Sequence, residues 1–218
     1  MAILNQGVLT SGATTATASA VTASVTLPEY TLITLAVWTY NSTAANLTTP
    51  SSSASGVTFT QIADRTFGSG GTNNRKLTVF RAMVTADTTG AITLDYSGVI
   101  QTNVGWNVSW DGSVDTSGVN GASAVGDVVT SDSAGSNVTS LQLSMSGLLG
   151  GTNSGIRAWF FSSVASVMSP RSGFTASADF AVPTNGECQT QWRADNDTEA
   201  NCTASSGLLA GVAIELVP

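Results

Sequence analysis

Apolar and polar residues alternate with a period of two along most of the chain. The run TTATASAVTASVTL at residues 14–27 places small hydroxyl residues beside Ala and Val, as a half-buried β-strand does. Clusters of Gly, Asn, Asp, Ser and Pro separate further runs of this kind, as in GSGGTNN at 68–74 and PTNG at 183–186. A short helix is conceivable at 41–55, but Pro50 and a serine run there favour a long loop. The pattern therefore predicts an all-β protein, a jelly-roll-like antiparallel β-sandwich.

Four sequence anchors occur twice in the same order. They are a strand ending in tryptophan (LAVW at 35–38, IRAW at 156–159), an FT-x-x-AD motif (59–64, 174–179), an aromatic-Arg-Ala triplet (80–82, 192–194) and a glycine-led apolar strand (from Gly105 and from Gly211). Because Trp and Arg are scarce in the chain, composition does not readily account for this repetition. The sequence predicts one domain over 1–218, built from two pseudo-repeated four-stranded halves at about 14–111 and 141–218 that 112–140 joins.

Charged residues are few, and histidine does not occur. The 218 residues include 14 Asp and Glu and seven Lys and Arg, for a formal net charge of −7. Without histidine, Ser-His-Asp and Cys-His catalysis and His-ligated zinc are excluded, and seven scattered cations make a phosphate-neutralising patch for nucleic acid improbable. A glycosidase that uses two carboxylates stays open. About 60 Ser and Thr residues indicate a surface covered by hydroxyl groups.

The tryptophans admit two interpretations, a carbohydrate-stacking platform or packing between sheets. Trp38, Trp159 and Trp192 lie at repeat-equivalent or strand positions, which favours packing in the core. Trp106 and Trp110 are four residues apart and share one face of a strand. Trp106 is a core candidate, and Trp110 is expected at the rim.

The repeated motifs offer one charged pair in each half. Asp64 with Arg81, and Asp179 with Arg193, are predicted to close the sandwich through a charge-assisted hydrogen bond. The alternative is that Asp64 and Asp179 meet as a glycosidase pair, which nothing in the sequence supports.

Asp195, Asp197 and Glu199 alternate in the segment ADNDTEAN, as oxygen ligands of calcium often do in a loop. The glycine and the later bidentate glutamate of the helical calcium loop are missing, so an acidic hairpin tip is the preferred interpretation. No cofactor and no other metal site is expected.

The two cysteines, Cys188 and Cys202, flank this segment at equal distances from Asp195. A hairpin with its tip there would place them opposite one another on adjacent strands, where a disulfide is geometrically reasonable. The competing interpretation is two reduced, buried thiols, as expected for a chain that folds in a reducing cytosol.

The N-terminal segment 2–10 is apolar and precedes the repeat. It lacks the basic and long apolar regions of a signal peptide, and no window approaches 18 apolar residues, so we expect a soluble chain made in the cytoplasm. With Ile3, Leu4 and Val8 it is a candidate for strand addition to a neighbouring subunit. The alternative is the first strand of its own sheet.

A series of strand and turn segments extends over nearly the whole chain: SVTLP (24–28), GVTFTQI (56–62), KLTVFRAMV (76–84), GAITLDYSG (90–98), WDGSVDTSG (110–118) and GVAIELVP (211–218). Together they resemble the β-sandwich virion proteins of tailed bacteriophages and prophages, which occur as capsid decoration proteins and as tail-associated modules. The resemblance contains no catalytic signature and carries over no functional residue.

The resemblance implies a non-enzymatic protein of the virion, on the capsid exterior. We expect a capsid decoration (cement) protein that binds the outer shell between capsomers as a homotrimer, with the major capsid protein as its partner and neither nucleic acid nor membrane. A charge-poor surface agrees, since it is buried against protein at little desolvation cost. The alternative is a tail or fibre module that recognises a host-surface glycan or protein through Trp110 or the loop 41–55.

Overall fold

The computed structural model describes residues 3–165, 167–183, 186–195 and 197–218, and nearly all of its regular elements are β-strands. The strands are β1 (Leu4–Thr17), β2 (Ser19–Val21), β3 (Val25–Leu27), β4 (Thr31–Tyr40), β5 (Ser51–Ala54), β6 (Val57–Thr58), β7 (Thr60–Ser69), β8 (Thr72–Val84), β9 (Thr88–Gly90), β10 (Thr93–Asp95), β11 (Gln101–Gly112), β12 (Val125–Asp132), β13 (Val138–Ser144), β14 (Gly155–Ser162), β15 (Ser169–Pro170), β16 (Thr175–Val182), β17 (Gly186–Arg193), β18 (Glu199–Gly207) and β19 (Leu209–Leu216). Short 3-10 helices lie at Ala44–Asn46, Val119–Ala124 and Gly151–Asn153. The predicted all-β class is confirmed.

Each half of the chain forms a five-stranded sheet and a smaller sheet. The first large sheet has the order β1-β11-β4-β8-β7 and the second has the order β12-β19-β14-β17-β16. The first small sheet is β2-β10-β5-β6, the second is β13-β18-β15, and β3 pairs with β9 separately. All of these pairings are antiparallel, as predicted.

The halves have more strands than the predicted four, because their central strands must be covered on both faces. Side chains of β14 and β19 are buried at every position, and those of β4 at every position but the last. A sheet with one face in solvent would alternate buried and exposed residues. Each of these strands therefore needs another layer of the protein packed against each of its two faces.

Three hydrophobic clusters separate the four layers of sheet. Ile33, Leu35 and Val37 of β4 face the first small sheet, in a cluster that includes Leu94 of β10. Leu143 of β13 lies in the equivalent cluster of the second half. The third cluster, here called the central core, joins the two large sheets; it contains Leu32, Ala36 and Trp38 of β4, Leu77 and Val79 of β8, Trp159 and Phe161 of β14, and Val212, Ile214 and Leu216 of β19.

The two large sheets have the same internal arrangement. In each, the first strand of the half pairs with the last, the last pairs with the tryptophan-bearing strand, and the strands with the aromatic-Arg and FT-x-x-AD motifs follow. β1 contacts β16, and the equivalent strands β12 and β7 contact one another. This arrangement is what the repeat hypothesis expects, although the duplication itself and the limits 14–111 and 141–218 stay predictions. β12 lies within the segment 112–140 that was expected to join the halves.

The run at 14–27 does not form the single predicted strand. Its residues end β1 and then form β2 and β3, which lie in three different sheets. Ala16 has a positive φ of 48°, and the chain turns at Thr17 to Ser19, where the Ser19 amide donates to Thr17 Oγ1. Small residues allow this turn without a break in the alternating pattern. No helix among the described residues is long and apolar enough to cross a membrane.

Candidate functional site

The tryptophan side chains mainly fill the layers between sheets. Trp38 and Trp159 are 0% exposed and Trp106 is 8% exposed, so the prediction of core packing is confirmed for these three. Trp192 is partly buried. Trp110 packs at the margin of the first half's core, directly over Gly7 of the neighbouring strand; a Cβ on Gly7 would lie 2.6 Å from Trp110 Nε1.

The N-terminal segment belongs to its own sheet. β1 pairs with β11 along its length, from Leu4 opposite Gly112 onward, so the alternative of a first strand holds and strand addition to a neighbour does not. Ile3 is 1% exposed in the central core, where it packs against Gly155 of β14. Its proposed role at an external interface is therefore wrong. Val8 is partly buried.

The predicted pairs of Asp64 with Arg81 and of Asp179 with Arg193 do not form. Asp64 lies opposite Thr78, three residues before Arg81 on β8, and instead approaches Lys76 Nζ at 3.7 Å. Arg81 Nε donates to the Asn120 carbonyl at 3.2 Å.

The strand register separates the second pair as well. Asp179 lies opposite Gln189, four residues or about 13 Å along β17 from Arg193. The motifs FT-x-x-AD and aromatic-Arg-Ala do fall on adjacent strands in both halves, but their charged residues are out of register. Spacing within each motif could not supply that register.

The calcium candidate is an ion-pair network. Arg171 Nη1 lies 3.3 Å from Asp197 and 3.1 Å from Glu199, and Arg193 contacts both Asp195 and Asp197, the latter at 2.7 Å. Two guanidinium groups thus pair with all three carboxylates that would have been calcium ligands. No group of three potential metal ligands occurs in the part of the chain that the structure describes.

The cysteines do not face one another. Cys188 on β17 lies in the central core, whereas Cys202 on β18 lies between the second large and second small sheets; both are free. The predicted hairpin is wrong because the chain crosses from one sheet to the other between β17 and β18. Burial raises the pKa of Cys202 to about 12 and also raises the pKa of Cys188, so neither thiol is activated.

A buried ion pair that the sequence did not reveal joins the two halves. Asp111 at the end of β11 and Arg157 on β14 are both 0% exposed. Arg157 Nη2 donates to Asp111 Oδ1 at 2.6 Å, Arg157 Nε donates to Oδ2 at 2.9 Å, and Nη2 also approaches the Trp110 carbonyl at 3.4 Å. Arg157 Nη1 is buried without a partner. In the sequence, this ion pair was indicated only by an arginine inside the apolar strand GIRAWFF.

Asp179 and Glu187 form a hydrogen-bonded carboxyl pair on adjacent strands. Burial, together with the hydrogen bond and the negative charge of Asp179, raises the pKa of Glu187 to about 7. The Met168 amide also donates to Asp179. Glycosidase carboxyls lie about 5 to 9.5 Å apart so that water or a sugar fits between them, which a directly hydrogen-bonded pair does not allow.

A polar cleft lies where the two halves meet, beside the β7–β8 hairpin and the turn that follows β12. Its volume is about 320 Å³. Arg65 Nε donates to Asp132 Oδ2 across the junction, and the Ala134 amide donates to Asp132 Oδ1 at 2.5 Å. The residues that line the cleft are Arg65, Thr66, Phe67, Gly68, Gly71, Asn73, Asp132, Ala134 and Gly135.

No protein family model, no curated protein and no solved structure matches the chain. The functional argument therefore depends on the residues and the geometry of this chain. Its structure combines a β core that is covered on both faces with a polar cleft between the halves. The predicted cysteines and Ile3 pack in the core, whereas the predicted calcium ligands pair with neighbouring arginines.

Proposed function

We propose that the protein is a non-enzymatic structural protein of a tailed-bacteriophage virion, a capsid decoration (cement) protein that binds the outer shell between capsomers and stabilises it. The observation that carries the proposal is the four-layer β fold. The central strands of this fold are buried on both faces. A chain that reinforces a shell must itself resist deformation. The resemblance of its strand and turn segments to phage virion proteins points the same way.

Strand pairing within the first half and contacts between the halves both fit a protein that reinforces a shell. β4 pairs with β8 over ten consecutive positions and with β11 on its other edge, so separating these strands requires many hydrogen bonds to break together. The central core and the Asp111–Arg157 pair then hold one large sheet against the other.

The surface suits a protein partner. Only 10% of the residues are charged, so polar desolvation on docking is modest. Large apolar side chains stand exposed singly at Val21, Tyr30, Ile100, Val119, Leu149 and Val167. We propose the major capsid protein as the partner and a homotrimer as the bound form, with about 1,200 to 2,000 Å² buried at each specific contact.

Copy number on purified particles tests this function. The chain is quantified by mass spectrometry against the major shell protein, and particles without it are heated beside complete ones. A simple lattice ratio, with earlier DNA release from particles that lack the chain, is the expected result. Absence from particles would refute the proposal.

A tail or fibre module that recognises a host-surface glycan or protein is the second candidate function. The polar cleft at the junction favours it, because it offers hydrogen-bonding groups on a rigid frame. A handful of copies per particle, located at the tail, would favour this function over shell decoration.

A further inference from the structure

The cleft at the junction of the halves is built from both of them. The β7–β8 hairpin supplies Gly68 and Gly71, the end of β12 supplies Asp132, and the turn that follows supplies Gly135. Gly135 lies close to the hairpin, since a Cβ placed on it would be 3.3 Å from the Gly68 carbonyl oxygen. At about 320 Å³ the cleft is at the lower limit of small-ligand sites, which is room for about one sugar ring.

The cleft holds hydrogen-bonding groups that are still available. Arg65 is 43% exposed along its side chain and uses Nε on Asp132. In the described part of the chain no hydrogen bond engages the two Nη atoms of Arg65, the side-chain amide of Asn73 or the hydroxyl of Thr66. The Asp132 side chain is only 7% exposed, but it borders the cleft. Its carboxylate accepts from Arg65 and from the Ala134 amide, and each of its oxygens keeps a further lone pair.

The chemistry of the lining selects the class of ligand. Arg65 and Asp132 cancel in charge, so neither an anion nor a cation is favoured. Few apolar atoms are exposed, because Phe67 is buried against Phe161. The cleft lining therefore offers adjacent hydrogen-bond donors and acceptors. Neighbouring hydroxyl groups of a ligand match this arrangement, because each hydroxyl both donates and accepts.

We propose that this cleft binds a neutral saccharide through a pair of neighbouring hydroxyl groups. Asp132 accepts from the sugar hydroxyls, while Arg65 and Asn73 donate to them. Gly71 leaves the backbone open at the cleft, since nothing lies within 4 Å of a Cβ placed there. Without an exposed aromatic ring to stack on, the affinity for one sugar unit is weak, with a Kd on the order of 1 mM. The inference goes beyond the virion proposal and does not depend on it.

The test is a titration of the full ¹⁵N-labelled chain, followed by amide NMR signals. The probes are glucose, galactose, mannose and N-acetylglucosamine, with N-acetylneuraminic acid as an anionic probe and cyclohexanol as an apolar one. We expect at least one neutral sugar to shift the Gly71 and Gly135 amide signals in a saturable way. The proposal is overturned if no neutral sugar at about 50 mM, far above a millimolar Kd, moves these signals. It is also overturned if only the anionic or the apolar probe moves them.

Two variants at Asn73 connect the signals to the cleft without touching the core, because this side chain is exposed. Asn73→Ala should weaken binding about three- to tenfold, as expected for one net hydrogen bond lost. Asn73→Trp should fill the cleft and abolish the shifts. Unchanged binding in Asn73→Trp would place the sugar elsewhere and overturn the assignment.

A matched pair of carboxylate variants separates the acceptor from general charge effects. Asp132→Asn should remove saturable binding, whereas Asp64→Asn, the same change next to Arg65 on β7, should retain it. Thermal unfolding of each variant shows whether the junction has stayed folded. Equal loss of binding in the two folded variants would contradict the role of Asp132.

Discussion

Replacing Arg157 with methionine removes one member of the buried ion pair and leaves the other in place. The Asp111 carboxylate is 0% exposed and takes its hydrogen bonds from the Arg157 guanidinium, at 2.6 to 3.1 Å. A buried carboxylate without its counter-ion costs about 3 to 5 kcal/mol. We expect the free energy of unfolding of Arg157→Met to fall by that amount, which is a large part of the total stability of an ordinary domain.

The double variant Asp111→Val/Arg157→Met should restore most of this loss. It removes both buried charges and the desolvation penalty of Arg157 Nη1, which has no hydrogen-bond partner. Replacing a buried pair by apolar residues of similar size is often neutral or stabilising, by about 1 to 4 kcal/mol. The double variant is therefore expected to be close to the natural chain in stability, and far more stable than either single variant.

Urea unfolding followed by tryptophan fluorescence measures these free energies, because Trp38 and Trp159 lie in the central core. Asp64→Asn is the control, since the Asp64 side chain is 44% exposed and its carboxylate lies 3.7 Å from Lys76 Nζ, so loss of this pair costs less than about 1 kcal/mol. A loss below about 1 kcal/mol in Arg157→Met, or simple additivity in the double variant, would refute the reasoning.

Three further predictions follow from described contacts. Because the folded pKa of Glu187 is about 7, above its usual 4.5, the folded chain holds a proton that the unfolded chain releases, so stability should fall as pH rises from about 4.5 to 7. Glu187→Gln should flatten that part of a plot of urea midpoint against pH, and an unchanged slope would contradict the role of its pair with Asp179. Gly7→Ala should displace the Trp110 ring, change its fluorescence and cost about 1 to 3 kcal/mol, whereas Gly147→Ala, which has open space around it, should do neither. Both buried thiols should react with a thiol reagent only in urea, and fast labelling of the folded chain would show that they are accessible.

The strands could be predicted because their pattern is local. Alternation and turn residues marked most of them, and the two tryptophan-bearing strands fall at β4 and β14 as the repeat indicated. The continuous apolar run of β4 also indicates a strand that is covered on both faces. The alternation in the rest of the chain favoured a single two-sheet sandwich instead.

The pairing of side chains could not be predicted, because it depends on register and on which sheet a strand joins. Asp64 and Arg81 lie on adjacent strands, but the strand register keeps their side chains apart. Cys188 and Cys202 flank a turn but lie in different sheets. The cleft likewise uses residues from β7 and β12, which are far apart in sequence and belong to different halves.

The single-chain connection of the two halves has a consequence for the chemistry of their junction. In a symmetric dimer of identical subunits every interface contact occurs twice, so a buried ion pair would be present in two copies. In this chain Arg157 stands where the corresponding motif of the first half, LAVW, has Ala36. Covalent connection also makes the association of the halves independent of protein concentration. One half can therefore contribute the cation and the other the anion. This ion pair, which occurs in a single copy, favours one relative position of the two large sheets.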